Sequence, residues 1–216
     1  MSLRMGESRI PNLIICHPES QMRRLLLVLG TVALIAVVVI GLAQAGRPPE
    51  AEREAPEFDL AQAKQQLQGA PAPLAALHEQ SNTILEGGPK AFEKRLGELE
   101  GHPAVINKWA SWCRPCRAEF PIFQEVATER GKAYAFLGIN SEDKRPAAEK
   151  FLSERPLPYP SYEDPDEEIA KVLEAPKYFP MTIFVDAKGD TAFIKAGEYT
   201  SRAELEADID KYLGGA

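Results

Sequence analysis

The sequence is poor in cysteine and histidine and has no dense run of basic residues. It contains three cysteines and three histidines among 216 residues, too few for a secreted fold held together by disulfides. Acidic residues outnumber basic ones by 32 to 25, which gives a net charge of -7. Nucleic acid is therefore not an expected partner. This length suits one globular domain with additional segments.

One long apolar run near the N-terminus predicts a transmembrane helix. Residues 25–45 (LLLVLGTVALIAVVVIGLAQA) contain Gln44 as their only strongly polar side chain, and about 20 such residues cross a bilayer core. Arg23 and Arg24 precede the run directly. The positive-inside rule then keeps residues 1–24 as a cytoplasmic tail and exports the rest. We expect a single-pass protein of the cell membrane.

A cleaved signal peptide is the alternative reading of the same run. Residues 43–45 (AQA) have the small-x-small form of a cleavage site. The run exceeds the usual signal core of about 7 to 15 residues, however, and the preceding tail is long, so a retained anchor is favoured. The domain that follows is predicted to be extracytoplasmic in either case.

Two segments of different composition follow the apolar run. Residues 46–57 (GRPPEAEREAPE) are rich in proline and glutamate, which predicts an extended linker. Residues 58–88 begin with helix-forming residues but then contain Gly69, Pro71 and Pro73. The sequence leaves the structure of this second segment open, and we treat it as an adapter before the domain.

From residue 89 onward the pattern predicts an α/β domain. Its expected helices cover 89–100, 114–130, 145–154, 165–173 and 201–213, and its expected strands cover 104–110, 134–140, 181–187 and 191–197. The last two strands are joined by a short turn and read as a hairpin. Helices alternating with strands of both orientations predict a three-layer α/β/α sandwich around a mixed sheet for residues 89–216.

Two of the three cysteines form a C-x-x-C motif at a predicted strand-to-helix junction. The spacing places Cys116 about one helical turn from Cys113, close enough to resolve a mixed disulfide. A helix N-terminus and the adjacent Arg114 are expected to lower the pKa of the Cys113 thiol. Pro115 suits an early helical position because its missing N–H would have no partner there. Thiol–disulfide exchange is the predicted chemistry.

A permanent disulfide and half of a zinc site are the alternatives for this motif. Zinc would need two further ligands, and His17, His78 and His102 supply no spaced pair. No metal and no cofactor are therefore expected. Cys16 falls in the predicted cytoplasmic tail and reads as a lone reduced thiol.

The residues around the motif resemble the thioredoxin superfamily. Residues 109–121 read WASWCRPCRAEFP, and W-C-x-P-C is typical of thioredoxins. The C-x-x-E-x-P continuation resembles the membrane-anchored TlpA/ResA-type branch. Residues 180–186 (PMTIFVD) are similar to the family segment P-T-T-F-x-x-D, which starts with a cis proline. The resemblance covers about residues 89–213 and implies a thioredoxin-like fold.

The resemblance also implies roles for individual residues. Cys113 would attack, Cys116 would resolve, and Pro180 would face them as the cis residue. Glu119 either carries a proton for the resolving thiol, if it is buried, or pairs with arginines at the surface. The residues expected to bind or support the substrate are Trp112, Arg114, Pro115, Phe179 and Met181.

The implied activity is that of a membrane-anchored thiol:disulfide oxidoreductase. Such proteins act on thiols and disulfides of exported proteins, often in cytochrome c maturation, and draw electrons from a membrane thiol carrier. A reductase is expected, and an oxidase or isomerase is the rival within the same chemistry. A client-binding module without redox activity is the rival from another class. A peroxidase is disfavoured because the lone peroxidatic cysteine pattern is missing from the motif.

Three residues depart from the family pattern. Asn107 replaces the buried aspartate of cytosolic thioredoxins, although anchored relatives often share this amide. Phe179 is bulkier than the usual valine or threonine before the cis proline. Lys108 stands where relatives usually have an aromatic residue, and no sequence pattern accounts for it.

Overall fold

The computed structural model describes residues 26–37, 39 and 58–214. Residues 26–37 and 39 are helical and belong to a separate N-terminal unit. Within the described ranges, no helix combines the length and apolar character needed to cross a membrane. The predicted tail, the linker and part of the predicted 25–45 span lie outside the described residues, so the anchor stays a prediction.

The second unit alternates helices and strands along residues 58–214. In chain order its elements are α1 (Leu60–Gln66), α2 (Ala72–Glu79), β1 (Ile84–Leu85), α3 (Gly88–Glu98), β2 (Ala104–Trp109), α4 (Arg114–Arg130), β3 (Ala135–Ser141), α5 (Arg145–Glu154), β4 (Ser161–Asp164), α6 (Glu168–Val172), β5 (Met181–Val185), β6 (Thr191–Ala196) and α7 (Arg202–Leu213). Every helix and strand predicted after residue 89 is present, with ends shifted by a few residues.

The six strands form one mixed sheet in the order β1-β4-β3-β2-β5-β6. The first four strands run parallel, and β5 is antiparallel to both β2 and β6. The predicted mixed sheet and its hairpin are confirmed. Lys108 pairs with Met181, so the start of β5 lies beside the end of β2. The two segments that resemble the family, residues 109–121 and 180–186, therefore meet where β2 ends and β5 begins.

Helices cover both faces of this sheet. Val105 and Trp109 of β2 face a core shared with α4, α5 and α7, whereas Ile106 faces a core shared with α2, α3 and α6. All six residues of β2 are buried, as expected for a central strand that is covered on both sides. This confirms the three-layer sandwich.

The segment 58–88 is part of the domain and not a separate adapter. It forms α1, α2 and the edge strand β1, which pairs with β4. Leu74 and Leu77 are fully buried in the same core as Phe92. Pro71 and Pro73 occupy the N-cap and first turn of α2, where proline costs no intrahelical hydrogen bond. The expected boundary at residue 89 is therefore not a structural boundary.

Candidate active site

The C-x-x-C motif lies where β2 passes into α4. Cys113 is the N-cap of α4, and its Sγ accepts a hydrogen bond from the N–H of Cys116 at 3.2 Å. The two cysteines are joined in a disulfide with their Cα atoms 5.3 Å apart. Cys113 keeps 3% of its surface exposed, whereas Cys116 has none. An external thiolate therefore reaches the sulfur of Cys113 first.

The first turn of α4 supplies a positive environment at Cys113. The helix dipole and the Cys116 N–H that donates to the Cys113 sulfur favour a thiolate at this end. Arg114 is exposed, and Pro115 occupies an early position in α4. The Arg117 guanidinium donates to the carbonyl oxygen of Ser111 at 3.2 Å, which holds its charge near the motif.

Contacts with two loops fix the turn before Cys113. Trp112 is 57% exposed, and its indole N–H donates to the carbonyl oxygen of Glu142 at 2.9 Å. The Asp143 carboxylate accepts hydrogen bonds from the backbone N–H and the hydroxyl of Ser111. The Trp112 ring also meets the Phe179 ring, with centroids 5.1 Å apart. No sequence pattern had singled out Asp143.

The predicted cis proline is present at the neighbouring strand. The peptide bond between Phe179 and Pro180 is cis, and Met181 begins β5. Pro180 and Met181 are buried, while Phe179 is half-buried and packs against the core cluster that contains both cysteines. The structure thus brings the two segments expected to form the site into contact.

Glu119 is buried, one helical turn beyond Cys116. Its carboxylate accepts hydrogen bonds from the Asn107 amide at 2.7 Å and from the backbone N–H of Tyr199 at 3.1 Å. Burial raises the pKa of Glu119 from 4.5 to about 8, against the lowering effect of these hydrogen bonds. Of the two interpretations left open by the sequence, burial is correct and surface pairing with arginine is wrong.

The remaining candidate ligands do not assemble into a metal site in the described part of the chain. No group of three or more histidine, cysteine, aspartate or glutamate side chains is placed to hold a metal among residues 26–37, 39 and 58–214. Cys16 and His17 lie outside these ranges.

A disulfide at the start of a helix, beside a cis proline that opens an adjacent strand, defines the thioredoxin class of protein. The comparisons with known proteins agree with this class. A family model described as the AhpC/TSA family matches residues 51–194. The chain belongs to the AhpC/TSA family.

Two curated relatives and one solved structure are similar to part of this chain. The chain is similar to the thiol:disulfide interchange protein DsbE of Pseudomonas fluorescens biotype C, with 40% identity over 43% of this chain and 50% of that protein. It is also similar to the thiol-disulfide oxidoreductase ResA of Oceanobacillus iheyensis, with 28% identity over 49% of this chain and 55% of that protein. The matched regions span about half the length of these relatives.

The solved structure is a Chlorobium tepidum protein provisionally named thiol:disulfide interchange protein DsbE. It aligns with a TM-score of 0.51 and 26% identity, covering 55% of this chain and 85% of that chain. Together with the two relatives, it confirms the thioredoxin-like fold and the resemblance to ResA-type proteins.

Replacing Glu119 with glutamine is expected to flatten the pH dependence of stability. The folded protein keeps this carboxyl protonated up to about pH 8, whereas the unfolded chain releases the proton near 4.5. Between these values the folded state binds more protons, so the free energy of unfolding falls as pH rises. The slope reaches at most about 1.4 kcal/mol per pH unit.

Chemical denaturation of the oxidised protein between about pH 5 and pH 8 measures this slope. The slope should be shallower in Glu119→Gln than in the wild type. Glu125→Gln is the matched control because Glu125 is exposed on the same helix, and it should keep the wild-type slope. Equal slopes in all three proteins would contradict a buried, protonated Glu119.

Proposed function

We propose that this chain is an extracytoplasmic, membrane-anchored thiol:disulfide oxidoreductase that reduces disulfides of exported proteins. The observation that carries the proposal is the Cys113–Cys116 disulfide at the N-terminus of α4, in which Cys113 keeps 3% of its surface exposed and Cys116 none. The relatives are named as a thiol:disulfide interchange protein and a thiol-disulfide oxidoreductase, which supports thiol–disulfide exchange as the reaction. The resemblance in sequence suggests apocytochrome c as a client and a membrane thiol carrier as the electron donor.

The reducing reaction starts from the dithiol form. The Cys113 thiolate attacks one sulfur of a client disulfide, and the other client sulfur leaves as a thiolate. Cys116 then attacks the Sγ of Cys113, which breaks the mixed disulfide and releases the reduced client. The chain is left with the Cys113–Cys116 disulfide that the structure contains. A membrane thiol carrier would restore the dithiol by the reverse exchange.

Glu119 moves the proton of the resolving thiol in this scheme. Its pKa of about 8 is close to that of a free thiol, about 8.5, so proton transfer between the two groups costs little free energy. The ionised form of Glu119, which is the minor form below about pH 8, accepts the Cys116 proton when Cys116 attacks the mixed disulfide. It returns the proton to Cys116 when the disulfide is reduced again.

Exposed aromatic side chains next to Cys113 form the proposed client-binding rim. Trp112 and Tyr178 are each more than half exposed. Phe179 follows Tyr178 in sequence, and its ring contacts the Trp112 ring. Arg114 adds an exposed positive charge beside the attacking thiol. Pro115 and Met181 support the rim from the first turn of α4 and the start of β5.

Residues 25–45 form the proposed anchor, with residues 1–24 in the cytoplasm. The described part of this run, residues 26–37 and 39, is helical. Its large apolar side chains are more than half exposed, as in Leu29, Val32 and Ile35. These features support a helix that faces lipid.

Serine substitutions at the two motif cysteines should have different effects. Cys116→Ser should accumulate a mixed disulfide with a client, because Cys113 still attacks and nothing resolves the product. Cys113→Ser should form no adduct and lose turnover to the background rate, because Cys116 is buried. Non-reducing electrophoresis with a disulfide-bonded peptide measures both outcomes.

Cys16→Ser is the control and should match the wild type. Unchanged function of Cys113→Ser in cells would refute the redox role and point to a client-binding module without redox activity.

The reduction potential of the motif should lie near or below about -250 mV, in the range of reductases. It is measured on the full chain in detergent, equilibrated with dithiothreitol or glutathione buffers, in a Cys16→Ser background that removes the third thiol. A potential above about -180 mV would contradict the reductase and favour an oxidase or isomerase.

Cys16 allows a direct test of the proposed topology. In a Cys113→Ser/Cys116→Ser variant, Cys16 is the only remaining cysteine. A membrane-impermeant maleimide should label it after the cells are permeabilised and not in intact cells. Labelling in intact cells would contradict a cytoplasmic N-terminus. A shorter mature protein without Cys16 would instead show cleavage of a signal peptide.

A further inference from the structure

Lys108 is a fully buried lysine in the central strand of the sheet. A buried ammonium group requires hydrogen-bond partners or a counter-charge. Its Nζ donates to the carboxylate of Glu167, whose side chain is 3% exposed. The same Nζ lies 3.2 Å from the carbonyl oxygen of Pro176 and 3.5 Å from that of Tyr178. Lys108 thus connects β2 to the start of α6 and to the segment that precedes β5.

The ammonium group also contacts the aromatic rim beside the disulfide. Its Nζ lies 4.2 Å from the centroid of the Phe179 ring, within the range of cation–π attraction. Phe179 in turn contacts Trp112, the residue next to Cys113. A series of contacts therefore runs from Lys108 through Phe179 to Trp112, the residue that precedes the attacking cysteine.

Few hydrogen bonds besides those from Lys108 hold the segment 174–179 in place. Its backbone N–H groups bond locally, from Ala175 to Ala170 at 2.9 Å and from Tyr178 to Pro176 at 2.8 Å. Among residues 58–214, Lys108 is the one residue whose side chain donates hydrogen bonds to the carbonyl groups of this segment. The placement of the segment therefore depends strongly on Lys108.

Glu167 adopts an uncommon backbone conformation at the other end of this ion pair. Its φ is +56°, in the left-handed region that non-glycine residues rarely occupy and that often marks functional sites. Burial raises the pKa of Glu167, but hydrogen bonds and charges from Lys108 and Lys177 outweigh this and lower it overall. Glu167 is therefore a carboxylate paired with the ammonium of Lys108.

Stability alone does not account for an ion pair at this place. Desolvation of two charges offsets most of their attraction, and apolar residues of similar volume often serve a protein interior equally well. The directional contacts of an ammonium group can, however, fix carbonyl groups and an aromatic face that an apolar side chain would leave loose. This favours a positioning role over simple packing.

We propose that Lys108 and Glu167 are positioning residues for client recognition. They hold residues 176–179 so that Phe179 and Trp112 form a preformed apolar wall beside Cys113. The wall receives the extended peptide segment that flanks the attacked client cysteine. This proposal rests on the proposed function and adds to it the residues that determine affinity for a peptide client over a small disulfide.

The double variant Lys108→Met/Glu167→Gln tests the proposal without leaving an unpaired charge. Steady-state reduction of a disulfide-bonded peptide is compared with reduction of bis(2-hydroxyethyl) disulfide, using the full chain in detergent with dithiothreitol as the electron source. For the peptide, KM should rise about tenfold while kcat stays within about twofold, because only binding is weakened. Reduction of the small disulfide should be unchanged.

Lys177→Met is the matched control. It removes an exposed lysine that contacts the same carboxylate, with its Nζ 3.3 Å from Glu167, but it leaves the contacts of Lys108 in place. This variant should keep the wild-type KM for both substrates. Phe179→Leu removes the ring without changing any charge and should raise the peptide KM as the double variant does, so the test remains decisive if the double variant fails to fold.

Tryptophan fluorescence gives a readout that does not depend on turnover. Trp109 is fully buried and Trp112 is 57% exposed, so quenching by acrylamide reports mainly on Trp112. Quenching should increase in the double variant because residues 176–179 are no longer held in place and the Phe179 ring no longer covers Trp112. It should remain unchanged in Lys177→Met.

The outcomes separate this proposal from the proposed function. A lower melting temperature with unchanged peptide KM and unchanged quenching would show a purely structural ion pair and overturn the positioning role. A wild-type protein that exchanges disulfides with neither substrate would overturn the proposed function itself.

Discussion

The site depends on the burial of β2 on both faces and its direct passage into α4. Burial on both sides fixes the end of the strand, and the first turn of α4 then begins at Cys113, whose sulfur accepts a backbone N–H of that turn. The pairing of Lys108 with Met181 brings the start of β5 to the same place. A single strand register therefore positions both the disulfide and Pro180.

The same strand places one polar side chain on each face of the sheet. Asn107 reaches Glu119 on one face, and Lys108 reaches Glu167 on the other. Both carboxyl groups are buried, yet their partners differ in charge, so the pKa of Glu119 is raised and that of Glu167 is lowered. An amide cannot compensate for desolvation as an ammonium group does. A shift of one residue in β2 would exchange these two environments.

Much of the fold could be predicted because the helices and most strands carry local apolar patterns, and the motif residues occur in a specific order. Strand β4 escaped prediction because its residues Ser161 and Asp164 are polar and nevertheless buried. Ser161 accepts the indole N–H of Trp109 at 3.0 Å, and Asp164 accepts backbone N–H groups at the start of α6. Such partners are distant in sequence or fixed only by the folded loop, so periodicity gives no sign of them.

The candidate site was predictable to the extent that its chemistry resides in sequence neighbours. Cys113, Cys116 and the cis Pro180 follow from motifs, whereas the burial of Glu119 depends on Tyr199, which is contributed by the loop before α7. Lys108 gave no signal because its partners come from α6 and the segment before β5. The environments of Glu119 and Lys108 therefore form only when segments that are remote in sequence come into contact.

Helix α4 gives the two sulfurs the different environments that disulfide exchange requires. The attacking sulfur needs a stabilised negative charge, and the N-terminus of the helix supplies it at Cys113. The resolving sulfur needs a proton acceptor instead, and the helix dipole weakens beyond its first turn. In the proposed mechanism, the ionised form of Glu119, one turn further along and shielded from water, meets that second need. The proposed mechanism therefore separates charge stabilisation from proton transfer by a single turn of α4, so that one sulfur is a good nucleophile while the other stays protonated until it acts.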